Sequence, residues 1–108
     1  MTRPDSEVRA VPVPPVYADM RGKVAVVTGG SRGIGAAACL ALARNGVRVA
    51  INGRDEEALQ SSLAAVRASG VEALAIRADC SDLAQVRRMR DAVLTELGAP
   101  DFVLAFAG

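Results

Sequence analysis

Thr28-Gly29-Gly30-Ser31-Arg32-Gly33-Ile34-Gly35 joins two very different stretches of chain. Before it runs Val24-Ala25-Val26-Val27, short, continuous and apolar. Such a run suits a strand buried on both faces. After it, from about Gly33 to Asn45, the pattern is helical, with Ile34, Ala38, Ala41 and Leu42 expected on the inner side. The octet is therefore a strand-to-helix turn, and its glycines fall as G-x-x-x-G-x-G at Gly29, Gly33 and Gly35. A glycine at the strand end permits a sharp turn, one in the loop admits a pyrophosphate, and one in the helix permits close packing on the sheet. The new helix offers free N–H groups and the positive end of its dipole to phosphate. A Walker loop is excluded, because Gly35 is followed by Ala36 and not by Lys-Ser/Thr.

The same alternation continues outward. Gly46 is the expected stop of the first helix. Val47 to Ile51 reads as a second strand, ended by Asn52-Gly53. Asp55-Glu56-Glu57 puts acids in the first turn of a second helix, where they suit the dipole. Leu59, Leu63 and Val66 recur at helical spacing, and Gly70 ends the helix. Ala73 to Ala78 is a third strand. Ser81 or Asp82 caps a third helix with Val86, Met89, Val93 and Leu97 inward and Gly98 as its stop. Phe102 to Ala107 is a fourth strand. The order β-α-β-α-β-α-β implies parallel strands with right-handed crossovers.

Composition narrows the function. Of 108 residues, 51% are apolar and the mean hydropathy is +0.25, which excludes a solvating polymer. Three aromatic residues, Tyr17, Phe102 and Phe106, leave the core to Ala, Val, Leu and Ile. A net charge of +1 provides no broad basic field for nucleic acid or for a membrane surface. No histidine is present, which removes the commonest general base and zinc ligand. Cys39 and Cys80 match no metal spacing and read as two buried thiols of a cytoplasmic protein. No apolar run is long enough for a bilayer, and the N-terminal stretch has no apolar segment of the secretory kind. Pro4, Pro12, Pro14 and Pro15 mark residues 1–20 as a disordered or polyproline-like tail, which leaves 21–108 as the folded domain.

Thr28-Gly29-x-x-x-Gly33-Ile34-Gly35 resembles the cofactor motif of the short-chain dehydrogenase/reductase family, and the likeness runs from about Gly22 to Gly108. It implies an α/β Rossmann-type doubly wound parallel sheet, in strand order 3-2-1-4, truncated after the fourth strand. It implies hydride transfer between NAD(H) or NADP(H) and an alcohol or carbonyl. Thr28, Gly29, Ser31, Arg32, Gly33, Ile34 and Gly35 would then surround the cofactor. Asp79 would contact the adenine, or alternatively serve as a cap or turn residue. Cys80 would stand in the adenine wall, and the backbone of Ala107 and Gly108 would line the crevice.

The end of the second strand speaks to the choice of dinucleotide. An acid there would bond the 2′-hydroxyl of NAD, but Gly53 stands in its place, followed by Arg54. Arg32 can reach the same region. A guanidinium binds phosphate through a bidentate fork, so NADP(H) is favoured over NAD(H). The plainer alternative is a pair of ordinary surface arginines. Asp55 is a rival sign of NAD, though it reads better as the start of the second helix.

Two departures limit the resemblance. The fourth strand ends Ala105-Phe106-Ala107-Gly108, where the family usually has Asn-Asn-Ala-Gly. The family's catalytic serine and Tyr-x-x-x-Lys have no counterpart here: the single tyrosine, Tyr17, lies in the proline-rich tail, and the single lysine, Lys23, precedes the first strand. No residue is assigned a catalytic or metal-binding role. The expectation is the NADP(H)-binding portion of an oxidoreductase acting on a small carbonyl or alcohol. The alternative is a non-catalytic dinucleotide-binding or interaction module. Phe102, Val103, Leu104 and Phe106 would leave an apolar edge open to self-association.

Overall fold

A computed structural model describes residues 18–106. Most of the expected tail, and Ala107 and Gly108, lie outside them. A 3-10 turn at Ala18–Met20 leads into β1 (Val24–Thr28), α1 (Gly33–Arg44), β2 (Arg48–Gly53), α2 (Glu56–Arg67), β3 (Ala73–Arg77), α3 (Leu83–Glu96) and β4 (Phe102–Ala105). The strands form one sheet in the order β3-β2-β1-β4, with every pairing parallel. Val26 sits opposite Ala50 on one side and Val103 on the other.

Alternation along the central strands feeds two cores. Ala25, Val27, Val49 and Ile51 pack with Cys39 and Leu42 of α1 and with Leu59, Leu63 and Val66 of α2. Val24, Val26 and Ala50 pack with Val93 of α3 and with Leu97. Helices α1 and α2 thus cover one face and α3 the other, as right-handed crossovers require. Val24 to Val27 are all buried, as expected for a strand covered on both sides. The stop glycines Gly46, Gly70 and Gly98 all take positive φ. Asp101 fixes the start of β4: its carboxylate accepts from the Val24 amide at 2.9 Å, and its own amide donates to the Val24 carbonyl at 2.7 Å.

Several expectations need correction. β2 does not end before Asn52-Gly53, because both residues stay in the ladder, opposite Ile76 and Arg77. The Asn52 side chain makes this possible by donating to the carbonyls of Ile76 at 3.2 Å and Ala78 at 3.1 Å. β3 stops at Arg77 and α1 at Arg44. Within α1 the inner stripe is Gly35, Cys39, Leu42 and Ala43, while Ala38 and Ala41 are half-buried. Ile34 is 78% exposed, since it lies one residue, about 100° of helix rotation, off that stripe. Asp82, not Ser81, caps α3 through the amides of Ala84 and Gln85. Cys80 is exposed, so only Cys39 is a buried thiol. On β4, Phe102 and Leu104 turn half-buried toward the α1/α2 core, and Val103 and Ala105 are exposed, Val103 at 68%.

Candidate functional site

In a parallel sheet every strand delivers its carboxyl end to the same edge, and a crevice opens where the connections reverse direction. Here the reversal lies between β1 and β4. A cleft of about 520 Å³ occupies that edge, lined by Thr28, Gly29, Ser31 and Arg32 after β1. The end of β2 adds Asn52 to Asp55, the turn after β3 adds Ala78 to Ser81, and Phe106 follows β4.

The glycine turn is shaped by close approach. Gly29 has φ +70°, and a Cβ there would strike the backbone carbonyl oxygen of Phe106. Gly35 is buried, and a Cβ there would strike the carbonyl oxygen of Gly29 and lie 3.0 Å from the Gly30 Cα. Gly30 is tied on several sides. Its amide donates to the Asn52 carbonyl at 2.9 Å, and its carbonyl accepts from the Ser62 hydroxyl at 3.1 Å and from the Cys39 thiol at 3.8 Å. Burial pushes the Cys39 thiol up to about 11, so it is a packing group and not a nucleophile. At the start of α1, Arg32 occupies the cap position with extended backbone and no side-chain bond to the helix amides, whereas α2 and α3 are each capped by an aspartate. The first amides of α1 thus remain available to a ligand.

The cationic rim is balanced by acids. Arg32 donates to Asp55 in an ion pair, and Arg54 lies 3.4 Å from the Asp79 carboxylate. Asp55 is held below the usual carboxylate range by the Ala58 amide first and then by the Arg32 charge. Asp79 is held low by the amide and hydroxyl of Ser81, with a smaller contribution from Arg54. Ser31 leans over Gly53 so closely that a Cβ at Gly53 would meet its hydroxyl oxygen at 2.6 Å. The Asp79 amide donates to Gln85 at 2.8 Å, and the Cys80 thiol donates to the Asn52 side-chain oxygen at 3.3 Å.

The structure brings Thr28, Gly29, Ser31, Arg32, Arg54, Asp79 and Cys80 together around one cleft. Gly35 stands behind it as a packing glycine, and Gly33 and Ile34 lie exposed at the start of α1. Ala107 and Gly108 fall outside the described residues. Ser62 and Gln85 are not singled out by the sequence, and Asn52 enters it only as the end of the second strand. Ser62 had left a trace, as a small polar residue on the otherwise apolar stripe Leu59, Leu63 and Val66. Among the described residues no cluster of acidic, cysteine or histidine side chains could hold a metal, and no helix is long and apolar enough to cross a membrane.

A parallel sheet in the order 3-2-1-4, with a glycine turn at its switch point, defines a dinucleotide-binding α/β fold. The chain belongs to the short chain dehydrogenase family, which it matches over residues 23–108. It is 41% identical to the hydroxynaphthalene reductase arp2 of Aspergillus fumigatus, over 85% of this chain and 34% of that protein. It is 46% identical to the glycine betaine reductase ATRR of Emericella nidulans, over 82% of this chain but 7% of that one. Among solved structures, NAD+-bound xylitol dehydrogenase superposes with a TM-score of 0.76 at 37% identity, over 78% of this chain and 32% of that one. The apo glucose dehydrogenase of Caenorhabditis elegans superposes with a TM-score of 0.77 at 33% identity, over 82% and 39%. The chain thus spans at most about a third of the curated relatives named here.

Proposed function

We propose that this chain is the NADP(H)-binding portion of a short-chain oxidoreductase that interconverts a carbonyl and an alcohol. The observation that carries the reading is the grouping of Ser31, Arg32 and Arg54 around Gly53, at the β2 end that faces the adenosine ribose in this fold. Glycine at that position puts no acid on the strand end itself, and two guanidiniums line the same cleft to bind a 2′-phosphate. The uncapped start of α1, reached through Gly29, Gly33, Ile34 and Gly35, would take the pyrophosphate. Asp79 and Cys80 would flank the adenine. Thr28, with Ala107 and Gly108 beyond β4, would border the nicotinamide side of the crevice. The nicotinamide supplies or accepts the hydride when bound.

In this reading the chain's own residues bind and orient the dinucleotide, residues 21–108 form the binding domain, and the proton-transfer groups lie on other segments. Unpaired thiols suit a reducing, cytoplasmic setting. Calorimetric titration with NADPH and NADH tests the proposal. Tighter binding of NADPH, lost in an Arg32→Ala/Arg54→Ala variant, supports it; equal affinities, or a preference for NADH, refute the choice of cofactor. A second reading, a module that binds the dinucleotide without catalysis, would use the same cleft. Binding without any NADPH-dependent ketone reduction, in a protein that carries every segment its gene encodes, would select it.

A further inference from the structure

Two of the cleft's acids share one construction. Asp55 uses one carboxylate oxygen to accept from the Ala58 amide at 3.1 Å, capping α2, and the other to hold Arg32. Asp79 uses one oxygen for the amide and hydroxyl of Ser81, at 2.9 and 2.7 Å, and turns the other toward Arg54. Each carboxylate is thus anchored on local backbone while it occupies an arginine. We propose that Asp55 is a built-in competitor for the cofactor's 2′-phosphate, fixed by its capping bond, and that it lowers the chain's discrimination in favour of NADP(H).

This rests on the assignment of Arg32 to the 2′-phosphate. Two arginines and two aspartates cancel at the rim before any ligand arrives. A 2′-phosphate brings nearly two further negative charges, by analogy with other phosphate monoesters. It must take Arg32 from a carboxylate that the α2 cap prevents from retreating. An unphosphorylated ribose brings no charge and meets no such cost. The carboxylate therefore weakens NADP+ more than NAD+. Since the pair is largely exposed, with Arg32 70% and Asp55 44% accessible, the effect is modest.

Asp55→Asn isolates the charge, because asparagine caps a helix about as well as aspartate. The full chain is titrated calorimetrically with NADP+ and NAD+ and melted in parallel. The ratio of the NAD+ to the NADP+ dissociation constant should rise roughly two- to fivefold in Asp55→Asn, with at most a small fall in melting temperature from the charge lost at the start of α2. Asp55→Ser, which also caps, should behave alike and covers the case of an Asn variant that folds poorly. A ratio that stays constant or falls overturns the inference. If the wild-type chain prefers NADP+ and Arg32→Ala abolishes that preference while Asp55→Asn leaves it unmoved, only this inference fails. If the wild type shows no preference and Arg32→Ala changes nothing, the cofactor assignment fails with it.

Discussion

The Ser62 hydroxyl donates to the carbonyl oxygen of Gly30 at 3.1 Å, which ties the second helix to the glycine turn of the first βα unit. Ser62 is buried among Leu59, Leu63 and Val66, so its hydroxyl has a defined task. Without it, the Gly30 carbonyl keeps only the weak, long contact from the Cys39 thiol. Ser62→Ala should cost about 1–3 kcal/mol of stability, the penalty of a buried acceptor left short of a donor. It should also weaken NADPH binding by loosening the turn. Urea unfolding and calorimetric titration read the two effects separately, and unchanged values of both would show that the turn holds itself.

Gly35→Ala should be far more damaging. The new Cβ would collide with the backbone carbonyl of Gly29, which no rotamer change can relieve. Either α1 shifts away from the sheet or the turn opens, and both disrupt the ligand edge. We expect a loss of several kcal/mol, at the severe end for single substitutions, together with loss of measurable NADPH binding. A variant that melts like the wild type and still binds NADPH would contradict the packing described here.

Arg32→Ala and Arg54→Ala should each weaken NADPH binding about tenfold, consistent with a charge-assisted hydrogen bond of roughly 1.5–3 kcal/mol. NADH binding should change little. Because the phosphate contribution is electrostatic, the gap between the two cofactors should narrow as salt rises. Titrations at low and high ionic strength check both points.

Much of this architecture was readable beforehand, for identifiable reasons. The doubly buried strand Val24–Val27, the glycine stops and the helical spacing of Leu59, Leu63 and Val66 are local patterns with a single physical solution. Errors gathered where tertiary partners override local cues. Asn52 looked like a strand end because asparagine favours turns, yet its side chain satisfies two carbonyls near the end of β3 and keeps the strand going. Ile34 looked like core because it is apolar, but a one-residue phase error put it on the open side of α1. The acids paired with Arg32 and Arg54 were invisible as partners, since they lie 23 and 25 positions away and meet only once three strands align.

Acid should destabilise the protein through its turn and cap aspartates. Asp55, Asp79 and Asp82 all sit below the ordinary aspartate value of 3.8. For Asp82 the causes are the Gln85 side chain first, then the amides of Gln85 and Ala84, opposed by desolvation and then by the nearby Asp79 charge. A carboxyl lowered in the folded state binds fewer protons there than in the unfolded chain. Its stabilisation is therefore complete above its unfolded pKa and is lost as pH falls through the folded one. The melting temperature should hold steady from neutral pH down to about 5 and fall below about 4. Asp82→Asn, which keeps the cap and removes the titration, should make the acid slope shallower. A slope identical to that of the wild type would place the acid sensitivity in other groups.

Among the described residues β4 pairs only with β1, and Val103 projects from the face that α3 covers elsewhere. At 68% exposure it contributes little to the core, so a charge there should cost little stability. An unpaired, apolar strand edge nevertheless invites pairing with another chain, and a lysine on such an edge discourages it. Val103→Lys should shift the 108-residue chain toward monomer in sedimentation velocity, with its melting temperature nearly unchanged. If the wild-type chain already sediments as a monomer across the accessible concentrations, the β4 edge is not a self-association surface. If the lysine variant associates as strongly as the wild type, contacts between copies form elsewhere.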